Sequence, residues 1–319
     1  MAEPPPPLKS RAIRRLILLS AIVAAGTGIA VATHPAQVRA ALSQLMRLPM
    51  PALAEAFVMV LGQLALQSLR QWAVVPRDLA LRPVRVAHAF LWGQWLNIVA
   101  PARTGDALRV VLIRRESGKG LGGVPSAIGA VLADKVVDLA SLVLLCAAAG
   151  SIGLLWTRAY ARLFEAAVAA AAVVAVVAAM RLRSGSQEKH WTWMRDLRDG
   201  LSALRDGPRV MASLVFALAS WVAEGGALWL LCAGLGVMPT PSEILLALAV
   251  LNVGISVPIS FANLGVYEAA LASGLGYAGV PLPTALAVAA SHHAVELLAQ
   301  NVAVAGLSLS TRAPSRINR

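Results

Sequence analysis

The sequence predicts an all-α polytopic membrane protein: about six transmembrane helices and two opposed re-entrant helical hairpins, arranged as an inverted repeat. Three observations lead to this fold class. The first is composition. Of 319 residues, 58% are hydrophobic and 14% charged, whereas soluble domains carry about 45–50% and about 25% respectively. The second is the stretch Trp95 to Arg109, WLNIVAPARTGDALR, an apolar run broken by Asn97, Pro101 and Gly105 and then loaded with Arg103, Asp106 and Arg109. Helix breakers and ionisable groups are tolerated at membrane depth only within a protein environment. The third is Leu251 to Glu268, LNVGISVPISFANLGVYE, which repeats the order of features with Asn252, Pro258, Asn263, Gly265 and Glu268. Two Gly/Pro-interrupted hydrophobic segments in corresponding halves mark a chain built from internal repeats, with a polar site at its centre.

Charge and cysteine usage exclude several classes. The net charge is +12, but the basic residues gather at the ends of apolar runs and no recognition motif accompanies them, which points to cytoplasmic loops and not to nucleic acid. Cys146 and Cys232 both lie inside apolar runs, so neither a disulfide framework nor a metal centre is predicted, and no cofactor is expected.

Taken in order, residues 1–15 form a cytoplasmic lead expected to be disordered, with four consecutive prolines. Lys9, Arg11, Arg14 and Arg15 precede an apolar run from Leu16 to about Thr33, read as an uncleaved anchor. Val38, Leu42, Leu45 and Met46 then form the apolar side of a short interfacial helix. A span from about Ala52 to Leu69 ends in Arg70, Arg77, Arg82 and Arg85, a cytoplasmic basic cluster. The broken segment from Val86 to Ile113 is bracketed on its far side by Arg114, Arg115 and Lys119, so both of its ends are placed in the cytoplasm and it enters and returns. The run from Val124 to about Leu155 crosses outward with Asp134, Lys135 and Asp138 near its start, and Leu163 to Met180 returns. Residues 181–209 are the extended polar region, a basic cytoplasmic connector. From Val210 to Ser310 there is no Lys or Arg. That stretch holds a span from about Val210 to Leu235, the second broken segment from about Ile244 to Tyr277 and a last span from about Thr284 to Leu309. A cytoplasmic tail, 311–319, follows with Arg312, Arg316 and Arg319.

The membrane domain thus covers 16–310, with half-repeats of about 52–155 and 210–310. Span, hairpin, span occurs twice with opposite orientation, both termini are cytoplasmic, and the setting is a bacterial inner membrane.

The pattern N-x-x-x-P-x-R-x-G-D-x-x-R from Asn97 to Arg109, the Asp134, Lys135, Asp138 group, and the second-half Pro258 with G-x-x-E from Gly265 to Glu268 resemble the flippase-like transmembrane family, typified by the membrane domain of lysylphosphatidylglycerol synthase. The resemblance runs from about Ala52 to Ser310. Asp106 stands where that family usually has Glu, Lys135 where Arg is usual, and Tyr267 where a basic residue is common. In lysylphosphatidylglycerol synthases a soluble catalytic domain follows the membrane part, whereas this sequence runs on only to Arg319. The resemblance therefore implies lipid translocation and not aminoacyl transfer, and the protein is expected not to be an enzyme.

The site residues each have two readings. Arg103 and Arg109 suit a phosphate headgroup through bidentate, charge-assisted bonds; alternatively Arg103 pairs with Asp106 and Arg109 reaches the cytoplasmic surface. Asp134 and Asp138 share a helical face and either neutralise the hairpin arginines or couple to ions, and Lys135 either joins them or reaches the interface. Glu268 has no Lys or Arg near it in sequence, so it is protonated, paired with a base such as Arg103, or placed in water at the outer mouth. His292, His293 and Glu296 occupy the last span at the place Asp134, Lys135 and Asp138 hold in the first half; His292 and Glu296 share a helical face, and a histidine-rich site there is suited to carrying protons. Glu224 is a further acid of this network. Asn97, Asn252, Pro101, Pro258, Gly105, Asn263 and Gly265 shape and satisfy the broken backbone.

These readings combine into movement of a lipid with an anionic or phosphate-bearing headgroup, with Arg103 as its binding group and with a separate lipid-synthesising enzyme as a partner. The alternatives are a secondary transporter of a small soluble substrate and an intramembrane lipid-modifying transferase.

Overall fold

The computed structural model of the protein describes residues 35–100, 104–118, 123–151, 195–256 and 263–312. The expected spans 16–33 and 163–180, much of the connector, and Pro101, Arg103 and Pro258 lie outside the described residues. Among the described residues the regular elements are all helical.

The helices fall into two length classes. α1 is a short helix, Pro35–Leu45. α2 (Met50–Val74, 25 residues), α5 (Val124–Ser151, 28 residues), α6 (Gly207–Gly234, 28 residues) and α9 (Leu282–Arg312, 31 residues) each exceed the roughly 20 residues that cross a hydrocarbon core. Of these, α2 and α6 are also apolar enough along an unbroken window to qualify as spans by composition. Polar residues interrupt the other two, and of these Asp134, His292, His293 and Gln300 are buried. The second class consists of the two broken segments. α3 (Pro83–Val99, 17 residues) is followed by α4 (Thr104–Ser117, 14 residues), and α7 (Pro241–Ser256, 16 residues) by α8 (Val266–Tyr277, 12 residues). Three of the four are too short to cross alone and α3 is at the lower limit.

Each broken segment folds back on itself. Arg85 near the start of α3 pairs with Glu116 near the end of α4 at 2.8 Å, while Asn97 near the end of α3 meets Gly105 near the start of α4 at 2.8 Å. In the second segment Gly254 lies against Ala270 and Gly274 against Ala247, the crossing order of an antiparallel pair. The chain turns between α7 and α8 through Asn263 at φ 54° and Gly265 at φ 81°. Asparagine tolerates the left-handed region better than most residues, and Gly265 occupies it without a Cβ penalty.

Two compact units are formed, one from Gly62–Phe90 and Arg109–Ala223, the other from Met1–Leu61, Leu91–Leu108 and Glu224–Arg319. The first packs Val75, Leu79, Val86, Ala89, Ile113, Ala127 and Ala130 into one apolar cluster, and Val74, Ala133, Val137, Ala203 and Ala217 into another. In the second, α8 packs between α7 and α9, and α1 lies along α9. α1 buries none of its residues; Leu42 is exposed, and Val38 and Leu45 are partly covered.

Burial on the long helices is reversed relative to a soluble protein. On α5, Leu132, Val136, Leu139 and Leu144 are exposed, while Asp134 and Ser141 are buried. On α6, Met211, Val215, Val222 and Trp229 are exposed, while Ser213, Ser220 and Glu224 are buried. Apolar stripes outside and polar groups inside are what a lipid solvent selects.

One sequence expectation is corrected here. Arg70 does not end a span in the cytoplasm: α2 continues to Val74 and Arg70 is only 2% exposed. The apolar run resumes after it as Trp72, Ala73 and Val74, and Ser213 donates to the Arg70 carbonyl at 3.0 Å from α6, so this turn is held inside the first unit.

The close helix pair gives a matched test. A Cβ on Gly274 would stand 2.6 Å from Ala247 Cα, whereas one on Gly276 of the same helix meets nothing within 4 Å. Gly274→Ala is expected to destabilise by about 1–3 kcal/mol through overpacking, and Gly276→Ala to be close to neutral, in thermal unfolding followed by circular dichroism in detergent.

Candidate functional site

The first unit holds a four-residue ionic cluster. Asp134 of α5, fully buried, receives Arg70 Nε on Oδ1 at 2.8 Å and Arg109 Nη2 on Oδ2 at 2.6 Å. Arg70 Nη2 reaches Oδ2 at 3.4 Å, and Arg70 Nη1 also donates to Asp138 Oδ1. The i, i+4 spacing puts both carboxylates on one face of α5, so a single guanidinium fork on α2 engages both. The Arg109 guanidinium lies over the Phe90 ring, 4.7 Å from its centroid, a cation–π contact that replaces part of its lost hydration. Two positive and two negative charges balance. Arg109 is therefore not a surface-reaching residue: it is wholly buried on Asp134. Lys135 points away from the fully buried face and is half-exposed.

The second unit holds a different cluster. Glu268, in the first turn of α8, accepts the Gly265 amide on Oε2 at 2.7 Å, and its Oε1 lies 2.7 Å from His293 Nδ1 on α9. Tyr267 hydrogen-bonds His292 Nδ1 through its hydroxyl at 2.7 Å, and its ring stacks on His293 with centroids 4.1 Å apart and planes at 9°. His292 is fully buried and His293 nearly so. Glu224 is buried on α6, and Glu296 is half-buried one turn beyond His292 on α9.

The break between α3 and α4 belongs to the second unit and is closed by an amide. Asn97 Oδ1 accepts the Gly105 backbone N–H, one of the donors a new helix start leaves unpaired, and Asn97 Nδ2 donates to Asp106 Oδ1 at 3.4 Å. Asp106 lies in the first turn of α4, where a carboxylate suits the positive end of the helix. Asn252 instead donates back within α7, to the Leu248 carbonyl at 2.9 Å. Polar contacts also tie the second half of α3 to α9. Gln300 Nε2 donates to the Leu91 carbonyl at 2.8 Å and Trp95 Nε1 to Asn301 Oδ1 at 3.1 Å.

The structure thus brings together Asp134, Asp138 and Arg109 in one cluster, and Glu268 and His292 in the other. Two partners, Arg70 and Tyr267, escape the sequence reading. Arg70 is masked by its place in a basic run, although the apolar residues after it signal a helix that continues, and Tyr267 stands out in the sequence only as lacking a charge. His293, on an adjacent helix, is the base that Glu268 meets.

Asp134→Ala would leave two buried guanidinium groups without their shared carboxylate, and stability should fall by about 3–5 kcal/mol. Asp138→Ala, removing a carboxylate whose side chain is 32% exposed, is expected to cost clearly less. The melting temperatures of the two variants in detergent, measured against wild type, decide this order.

A family model described as Lysylphosphatidylglycerol synthase TM region matches residues 17–303. No curated protein and no solved structure matches the chain.

Proposed function

The chain belongs to the lysylphosphatidylglycerol synthase TM-region family, and from that premise we propose that it moves a lipid with an anionic or phosphate-bearing headgroup between the leaflets of the inner membrane. The observation that carries this reading is the pairing of two folded-back, interrupted helix pairs with buried ionisable clusters inside a lipid-facing bundle. A headgroup cannot pass about 30 Å of hydrocarbon unaided. Interrupted helices supply backbone donors at membrane depth, and irregular backbone persists there only where it lines protein or a polar cavity.

In this mechanism both segments are re-entrant and enter from opposite faces. Arg103, in the break between α3 and α4, binds the headgroup with help from the amino end of α4, whose free N–H groups and dipole favour an anion. Asn97 and Asp106 hold that break in shape. Arg70 and Arg109, already balanced by Asp134 and Asp138, act as the frame on which the first segment is mounted. The acyl chains stay in lipid against the exposed apolar stripes of α5 and α6. The protein is a translocator and not an enzyme, both termini are cytoplasmic, and a separate lipid-synthesising enzyme supplies the substrate.

The test is reconstitution of the full chain into phosphatidylcholine liposomes with a trace of fluorescent phosphatidylglycerol, using a membrane-impermeant quencher to read leaflet exchange. Charge-assisted hydrogen bonds are worth about 1.5–3 kcal/mol, so Arg103→Ala should slow exchange by roughly one to two orders of magnitude. Exchange at the wild-type rate in that variant removes the central step. Uptake of water-soluble phosphate esters with no lipid exchange would transfer the reading to a secondary transporter.

A further inference from the structure

The two units balance buried carboxylates with cations of different kinds. Asp134 and Asp138 face Arg70 and Arg109, whose guanidinium groups stay charged at any physiological pH. Glu268 faces His293, and the whole stretch from Val210 to Ser310 has no Lys or Arg. A cation arises within that stretch only when a histidine takes up a proton. We propose, resting on the lipid-translocation reading above, that the Glu268–His293 pair is a proton-binding site whose loading drives the lipid between leaflets.

The geometry suits this role. The Glu268 side chain is 22% exposed and that of His293 5% exposed, so the pair has an opening on the carboxylate side and a closed imidazole. Stacking on Tyr267 fixes the plane of the His293 ring, and the Tyr267 hydroxyl is itself held by His292. Among the described residues, the further charged groups that act on this set are acidic. Glu224 from α6 and Glu296 from α9 act, with Glu268, on the same Tyr267. Of the helices packed against α8 and α9, α1 carries only Arg39, which is exposed, and α7 carries Glu243, which accepts the Thr240 amide at 2.7 Å.

The same carboxylate connects the proton to the backbone. Glu268 Oε1 faces the imidazole while Oε2 holds the Gly265 N–H at the start of α8. When a proton from water binds the imidazole lone pair, the pair passes from a net charge of −1 to zero. The contact passes from an N–H···carboxylate hydrogen bond to an imidazolium–carboxylate ion pair, in which the attraction of two full charges adds to the hydrogen bond. That bond ties the first turn of α8 to α9. Return of the proton to water restores the single negative charge and loosens the tie at the turn through Asn263 and Gly265. Uptake breaks one O–H bond of a hydronium ion and forms one N–H bond, leaving water, and release reverses both.

The experiment uses the full chain in phosphatidylcholine liposomes with a trace of fluorescent phosphatidylglycerol, a pH-sensitive dye in the lumen and the membrane potential clamped. With one proton per lipid, a gradient of about one pH unit should shift the steady-state leaflet ratio by up to about tenfold, with matching proton flux. His293→Gln should remove the gradient response. His293→Lys, which keeps a cation opposite Glu268 but fixes its charge, should remove it too, so the loss is not a folding defect; gel filtration of both variants checks this. Lipid exchange that ignores the gradient, or variants that respond as wild type does, overturns the proton site and leaves the lipid reading standing. Proton flux that depends on His293 without lipid exchange supports the site and overturns the lipid reading, while absence of both overturns both.

Discussion

A charge placed inside a helical bundle that faces lipid must be answered by another charge or by a dense set of hydrogen bonds, and much of this molecule follows from that requirement. Asp134 is answered twice, by Arg70 and by Arg109. To bring those three side chains together, α2, α4 and α5 must meet at the level of the cluster, where the charges lie among buried apolar residues such as Val74, Ile113 and Ala133. The exposed leucines and valines of α5 and the buried Asp134 and Ser141 on its other side are two consequences of one constraint.

Such a cluster is a poor way to gain stability. Well-packed apolar residues of similar volume often serve a buried site as well or better. What the ion pairs provide is a defined register: a guanidinium fork engaging carboxylates four residues apart admits one rotation of α2 against α5. A bundle held in this way can carry interrupted helices, whose missing backbone bonds would otherwise be a weak point. Asn97 illustrates the local solution, since one side chain both accepts the Gly105 amide and donates to Asp106.

The second unit answers its buried carboxylate with histidine and tyrosine. Tyr267, Glu268, His292 and His293 form one connected set across α8 and α9, and the carboxylate in it also holds the first turn of α8. The repeat suggested by the sequence places this set at the position of the arginine–aspartate cluster, yet the chemistry has diverged. One cluster sets its carboxylates against guanidinium groups, the other sets its carboxylate against an imidazole.

The helical class was legible in the sequence, because the bilayer as solvent dictates it residue by residue. Hydropathy sets where a helix can lie, and Pro, Gly and Asn set where it breaks. The i, i+4 relation of Asp134 and Asp138 is likewise local. What only the tertiary structure decided is who meets whom. Arg70 and Asp134 are 64 residues apart in sequence, and nothing in a basic run shows that one of its members turns inward. Likewise, Glu268 meets His293, and Tyr267 meets His292, because of the rotation of α8 against α9. Periodicity within one helix defines its faces, but the face presented to a neighbour is settled by packing between helices distant in sequence, and it is there that the ionisable groups acquire their partners.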